Sequence, residues 1–378
     1  MALLSRTAMS VAWDRVAVRQ VADPQRVPPA IAALTPSWLT AALCGDVPGA
    51  RVECVSIGDR SAGTSARARL AITYNAAGVA AGLPTTVFAK SSPSLFTRMA
   101  NGASRTGAAE AGFYRDLRPL LDLRAPRGYY SAVGRLSYRA MHLLEDLVAT
   151  QQATFCTPTT PINRQQAEQI VETLAILHSS PAMLRIAAQP PPWLRSYRQW
   201  WQHNIVLSSI RRYHLKGFRD AADVMPEPLR HLGDRAWAAF VESVVAHDSL
   251  PRQVIHGDVH LGNWYVDGNG DMGLCDWQCV VVGNGARDLA YALVTTLGID
   301  DRRAWERDLV ALYADRVSGD VTVDHAWDLY RSQLVGALVM WTPTHTPPPM
   351  MPAMQPRETS REMIRRITTA LDDHETLR

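Results

Sequence analysis

Apolar positions in the first 145 or so residues fall into short strand-like runs, and after about residue 160 they recur every three to four positions. Strand-like runs lie at 52–57, 66–74 and 85–90, the first two joined by the polar turn 58–65. A short helix is expected over 34–43, with Thr35 as N-cap and Pro36 at the first helical position. A longer helix is expected at 108–121, and strand material again at 136–147. The segment 165–178 places Ala167, Ile170, Val171, Leu174 and Leu177 on one helical face. Further helices are expected at 197–210, 229–246, 286–297, 304–317 and 326–340. Between them lies one β island: a short strand at 253–255, then a hairpin of 264–266 and 272–275 over Gly268-Asn269-Gly270. Six prolines between Pro343 and Pro356 predict an irregular loop, and Thr359 with Glu362 predicts a capping box opening a last helix. The fold class is therefore α+β, a small antiparallel β-rich region over 1–145 with an N-terminal helical extension, then a larger, mainly helical region over 146–378.

Composition narrows this picture. With 378 residues, 47% hydrophobic and 20% charged, the chain is globular and long enough for two cores. No apolar stretch reaches the roughly 18 residues of a spanning helix, so a membrane partner is not expected. The first fifteen residues hold no apolar run of signal-peptide length, and the five cysteines form no metal-ligand spacing, so reduced thiols and a cytoplasmic location are expected. A net charge of +3 is too mild to predict nucleic-acid binding. Only two of the 39 cations are lysines, Lys90 and Lys216, so a lysine ending an apolar strand calls for an explanation.

The chemistry concentrates in His256-Gly257-Asp258-Val259-His260-Leu261-Gly262-Asn263, followed by Asp276-Trp277-Gln278. The intervening hairpin carries the chain away and returns it, which sets Asp276 beside Asn263. Three oxygen-bearing side chains, Asp258, Asn263 and Asp276, then converge. Oxygen ligands supplied in ones and twos suit Mg²⁺ bound together with phosphate oxygens, and a spare carboxylate suits a base that receives a hydroxyl proton. A zinc reading of the two histidines lacks a third ligand at suitable spacing. His256 is expected to order the loop rather than carry a proton.

The Asp258-to-Asn263 spacing of five matches the catalytic loop of protein kinases, with Asp276 in the place of their metal-binding aspartate. HGDVHLGN followed by CDWQ resembles the aminoglycoside and choline phosphotransferase family of protein-kinase-like small-molecule kinases. Gly257 in place of arginine favours that branch over true protein kinases. The LEDL segment at 144–147 and DWQ in place of DFG lean towards the ecdysteroid-kinase-like subgroup.

The resemblance implies a bilobal, protein-kinase-like fold with ATP, or GTP as the alternative, bound in the cleft with Mg²⁺. It implies that Lys90, ending TTVFAK, holds the nucleotide phosphates, and that Glu110, in AAEAGFYRDL, positions Lys90. It implies adenine contacts at the Glu145 carbonyl and the Leu147 N–H, with Leu144 behind the base. Asn263 and Asp276 would hold the metal, and Asp258 would take the proton of the acceptor hydroxyl. Asp288 resembles an aspartate that braces the catalytic loop. The phosphate loop departs from GxGxxG: it offers Gly63, Thr64 and Ser65, and Thr64 stands where a Walker A lysine would be, which excludes a P-loop.

The segment 173–219 has seven cations, no Asp or Glu, and interleaved Trp193, Tyr197, Trp200, Trp201 and Tyr213. It disfavours a polycationic acceptor and favours a neutral or anionic small-molecule alcohol, although an amphipathic helix with a solvated basic face reads the same way. The loop 343–356 would be either a wall of the acceptor pocket or a plain surface connection. A non-catalytic nucleotide-binding scaffold is the rival from another class. It predicts a missing catalytic group, and here lysine, glutamate, aspartate, asparagine and metal aspartate stand in order.

Overall fold

The structure is a computed structural model that describes residues 2–16, 26–62, 65–317, 321–348 and 353–377. The chain divides into two compact units, one of residues 1–120 with 125–153, the other of 121–124 with 154–378.

The first unit begins with helices α1 (Ala2–Val16) and α2 (Pro36–Leu43). As expected, Thr35 caps α2, its hydroxyl accepting from the Trp38 N–H at 3.2 Å. Strands β1 (Val52–Ala62) and β2 (Ala66–Tyr74), the short helix α3 (Ala76–Ala80) and strand β3 (Thr86–Ser91) follow. Then come α4 (Leu95–Ser104), α5 (Thr106–Gly112), β4 (Gly128–Val133), β5 (Ala140–Glu145) and α6 (Leu147–Gln151). The five strands form an antiparallel sheet in the order β1-β2-β3-β5-β4. Trp38 and Leu39 of α2 pack with Leu70, Ile72, Val87, Ala89, Met141 and Leu143 of the sheet.

Because side chains alternate along a strand, the residues between these core positions share the opposite face. There Arg67, Lys90, His142 and Ser131 are successive cross-strand partners on β2, β3, β5 and β4. The register therefore builds a polar row onto one side of an otherwise apolar sheet. Three features of this unit were not legible in the sequence. Helix α1 is held by Asp14, which pairs with buried Arg98 and with Arg139. Helix α4 opens with a Ser94–Thr97 capping box. Strand β4 is half-buried along its whole length, so its sequence lacks the alternation that marks a strand. The helix expected at 108–121 is α5 continued by a π-helical turn over Phe113–Leu117 and a 3₁₀ turn.

The second unit comprises β6 (Thr154–Phe155), α7 (Arg164–Ser179), α8 (Pro181–Ala188), α9 (Tyr197–Ser208), α10 (Ile210–Asp220) and α11 (Gly233–Ala246). After these come β7 (Gln253–Ile255), β8 (Trp264–Val266), β9 (Met272–Leu274) and β10 (Val281–Gly283), then α12 (Ala286–Thr296), α13 (Ile299–Arg316), α14 (Val323–His345) and α15 (Arg357–Asp373). The β8–β9 hairpin pairs with β6, and β7 pairs with β10. Every residue of α12 is buried, so this helix is the axis of the unit.

Three expectations for this unit change. The helix expected at 197–210 breaks into α9 and α10 at Ser209, whose φ is 52°. Helix α14 runs through Pro343 to His345, so the irregular stretch starts later than the prolines predict; residues 349–352 lie outside the described ones. Pro343 falls in the last turn, and the hydroxyls of Thr342 and Thr344 bond to the Leu338 and Met340 carbonyls beside it. Helix α10 can approach α14 closely because Gly217 lacks a Cβ, which would collide with the Thr342 carbonyl. Helix α15 starts at Arg357 after Pro356 rather than from a Thr359 box, and Glu362 instead pairs with Arg365 and Arg366. All five cysteines are free thiols.

The α+β class read from the sequence is the class the chain adopts: an antiparallel sheet early, helices after it.

Candidate active site

In the second unit, strand β7 ends at Ile255 and the chain turns through Gly257, whose φ is +84° and whose absent Cβ would meet the Cys279 carbonyl. Both conditions require glycine at this point. The turn is held from below by Asp288 of α12. Its Oδ2 accepts from the His256 N–H at 2.6 Å and its Oδ1 from the Gly257 N–H at 3.1 Å. Asp288 is fully buried, with Arg287 Nη1 at 3.3 Å and His178 Nε2 at 3.5 Å. Burial pushes its carboxyl up, but the nearby His178 ring and the charge of Arg287 outweigh that and hold it below the usual range.

His256 ties the loop to the hairpin. Its Nδ1 accepts from the Asp258 N–H at 3.2 Å and its Nε2 donates to the Cys275 carbonyl at 3.0 Å. Burial pushes its pKa down, so it stays neutral and keeps this tautomer. The ring thus does the ordering task expected of it. Asn263 Nδ2 donates to the Asp258 carbonyl at 2.7 Å, and the Asn263 carbonyl accepts from the Cys275 N–H at 2.8 Å. The hairpin therefore returns the chain to Asn263 immediately before Asp276, which has a left-handed φ of 62°. With its amide nitrogen bonded to the loop, Asn263 would have its side-chain oxygen to offer an ion. That donor set, one amide oxygen and one carboxylate on a paired hairpin, fits Mg²⁺. Among the described residues no three His, Cys, Asp or Glu converge as a complete metal site, so an ion here would draw further ligands from phosphate and water.

Asp258 itself reaches solvent, with 15% of its side chain exposed. The Tyr291 hydroxyl donates to its Oδ1 at 3.1 Å. Burial and the neighbouring Asp258 carboxylate push the Tyr291 phenol well above its ordinary pKa, so it remains a donor. One carboxylate oxygen is thereby occupied, and Oδ2 lies 3.9 Å from His260 Nε2.

In the first unit, Lys90 Nζ lies 2.9 Å from Glu110 Oε1, both side chains nearly buried. His142 Nε2 lies 3.7 Å from Glu110 Oε2, and His142 Nδ1 is 2.6 Å from the Ser131 hydroxyl. The polar row of the sheet thus ends in a chain of contacts from Ser131 through His142 and Glu110 to Lys90.

A family model described as a phosphotransferase enzyme family matches residues 79–324, a span that takes in every residue of both arrangements. The chain belongs to that family. Several solved structures are also similar to it. An aminoglycoside phosphotransferase of Streptomyces rimosus, in complex with ADP and streptomycin, is 18% identical over 72% of this chain and 90% of its own, with a TM-score of 0.42. A Plasmodium vivax ethanolamine kinase is 11% identical over 84% of this chain and 81% of its own, at 0.46. A macrolide 2′-phosphotransferase of Brachybacterium faecium is 15% identical over 86% of this chain and 96% of its own, at 0.46. No curated protein matches the sequence.

The other residues expected at the site fall as follows. Glu145 closes β5, and its carboxylate accepts from the Arg127 N–H, the Thr150 hydroxyl and the Gln151 amide. Leu147 opens α6, so its N–H has no acceptor within the helix. Asp146 between them is buried and takes a 3.2 Å hydrogen bond from Arg69 of β2, which anchors the segment to the sheet. Ser65 is buried and its hydroxyl accepts from Arg67 Nε at 3.3 Å. Gly63 and Thr64 lie outside the described residues.

Sequence reasoning gave no role to Tyr291, His142, Ser131 or Asp146. Tyr291 follows Asp288 by three residues, so one face of α12 holds both groups that reach the loop; that spacing was the available signal. His142 and Ser131 depend on strand register and Asp146 on the approach of Arg69 from β2, which no local pattern announces.

The segment 173–219 also reads differently once folded. Arg198 pairs with Asp248, Arg211 with Asp234 and Lys216 with Asp220. Tyr197 and Trp201 are core residues, Trp201 packing edge-on to Phe240 at 4.7 Å. Acids absent from the local sequence are supplied from beyond the segment, so its positive charge is no argument for an anionic ligand.

Proposed function

We propose that this protein transfers the γ-phosphoryl group of ATP to a hydroxyl of a small molecule. The observation that carries the reading is the Asp258–Asn263–Asp276 arrangement, set on the β8–β9 hairpin and braced by Asp288, in a chain of the phosphotransferase family. Asp258 Oδ2 receives the acceptor proton while the acceptor oxygen attacks the phosphorus. Asn263 and Asp276 hold Mg²⁺, which when bound neutralises charge on the phosphates. Lys90, fixed by Glu110, holds the phosphates. Ser65, Gly63 and Thr64 are assigned to the phosphate turn, and the Glu145 carbonyl and Leu147 N–H to the base. The LEDL and DWQ segments support a place near the ecdysteroid-kinase-like branch without defining the acceptor.

Thermal unfolding with ATP, GTP or neither, each with and without Mg²⁺, tests this reading. A nucleotide at about 100 times its Kd should stabilise the wild type by about 2.7 kcal/mol. The Mg²⁺-dependent part should vanish in Asp276→Ala. No shift with either nucleotide at millimolar concentration would leave the phosphotransferase assignment without a co-substrate, and the scaffold reading would share that failure.

Lys90→Met should remove most of the nucleotide-induced shift. It should also lower the melting temperature without ligand, because it strands the Glu110 charge in a buried site. Glu110→Gln should keep folding closer to wild type and still weaken the nucleotide shift. A full shift in Lys90→Met would remove this lysine from the site.

A further inference from the structure

We propose that His260 and Asp258 together form a subsite for a vicinal diol, the attacking hydroxyl going to Asp258 Oδ2 and its neighbour accepting a hydrogen bond from His260 Nε2–H. This rests on the phosphotransferase reading and names its acceptor class.

The tautomer comes from the backbone. His260 Nδ1 accepts from the Gly262 N–H at 3.1 Å, so it carries no proton, and the proton of the neutral ring is on Nε2. The ring is held by edge-on contact with Trp341 of α14, centroids 5.5 Å apart, and it lies 6.4 Å from the Tyr291 ring. So fixed, Nε2 lies 3.9 Å from Asp258 Oδ2. That is too long for a direct hydrogen bond. Both side chains reach solvent, 12% and 15% exposed. Tyr291 already occupies Asp258 Oδ1, so Oδ2 and His260 Nε2, 3.9 Å apart, are the acceptor and the donor left to a ligand.

Two vicinal oxygens fit this pair. The attacking hydroxyl gives its proton to Oδ2 as its oxygen bonds to phosphorus and the bond from phosphorus to the ADP oxygen breaks. A donor on that same oxygen would hold back the lone pair that attacks, so the Nε2–H is better placed on the adjacent oxygen. An adjacent ammonium has no lone pair to offer and would meet the N–H with like polarity, so protonated amino alcohols are disfavoured.

The test is ADP release by the full chain with Mg²⁺ and ATP, using cis- and trans-1,2-cyclohexanediol, cyclohexanol and 2-aminocyclohexanol as acceptors. At least one diol should exceed cyclohexanol and the amino alcohol by about 10-fold or more, the scale at which a site built around a hydroxyl rejects analogues lacking it being larger still. His260→Asn keeps an oxygen to cap the Gly262 N–H but has no group at the Nε2 position, and it should erase the diol preference. His260→Gln restores a donor at longer reach and should recover part of it. Melting curves of both variants verify that they are folded. Equal rates for diol and cyclohexanol, no diol above the rate with water alone, or an undiminished preference in folded His260→Asn would each overturn the subsite. If the nucleotide still shifts the wild-type melt in those cases, the diol subsite alone has failed; if it does not, the phosphotransferase reading has.

Discussion

Asp258→Asn is expected to lower kcat by about 10²–10⁴-fold, the range lost with a general base, while leaving the melting temperature near that of the wild type. The asparagine oxygen can still accept from Tyr291, and the Asp258 main chain keeps its bonds to His256 and Asn263. What is lost is the ability of the second oxygen to take a proton. The reaction is otherwise driven by positioning and charge neutralisation, so the residual rate should retain the wild-type KM for nucleotide. Steady-state ADP release on the best acceptor from the panel measures this. A variant with more than a tenth of the wild-type rate would show that Asp258 is not the base.

The largest effect on stability is expected for Asp288→Ala, about 3–5 kcal/mol, because it leaves Arg287 buried without its carboxylate and frees two N–H groups of the His256–Gly257 turn. Urea unfolding of wild type and variant at neutral pH gives the difference. The pH dependence has a defined sign. The folded Asp288 pKa is depressed below its unfolded value of about 3.9, so its contribution is complete above that pH and lost as pH falls through the folded pKa. The gap between wild type and variant should therefore be full at pH 7 and close only in strong acid, below about pH 4. A gap that closes near pH 6 would assign the stabilisation to a histidine instead. Asp288→Ala should also lose activity, since the turn that presents Asp258 hangs from this carboxylate.

These two aspartates show how unevenly the site was written in the chain. Asp258, Asn263 and Asp276 were legible because a hairpin over Gly268-Asn269-Gly270 has only one short-range way to fold, and pairing Trp264 with Leu274 returns Asp276 to Asn263. Gly257 was legible as a departure from arginine, and its reason is a positive φ beside a close carbonyl. Lys90 stood out by rarity, but its contact with Glu110 needed the sheet. By contrast, β4 and the break at Ser209 carried no periodic signal, and the prolines after Pro343 overstated the loss of helix by one turn.

The sequence by itself determined the class of fold, the family, and the oxygen-rich loop with its returning aspartate, because each depends on contacts within a few dozen residues. Only the tertiary structure decided which groups hold that chemistry in place. Asp288 was legible by resemblance alone, but Tyr291 reaches Asp258 from α12 about thirty residues on, and His142, set beside Ser131 by strand register, meets Glu110. Arg198 and Arg211 of 173–219 likewise find their acids, Asp248 and Asp234, well beyond the segment. Local pattern fixes which face of an element is apolar; packing those faces together selects the polar groups that meet, and no local rule encodes that selection.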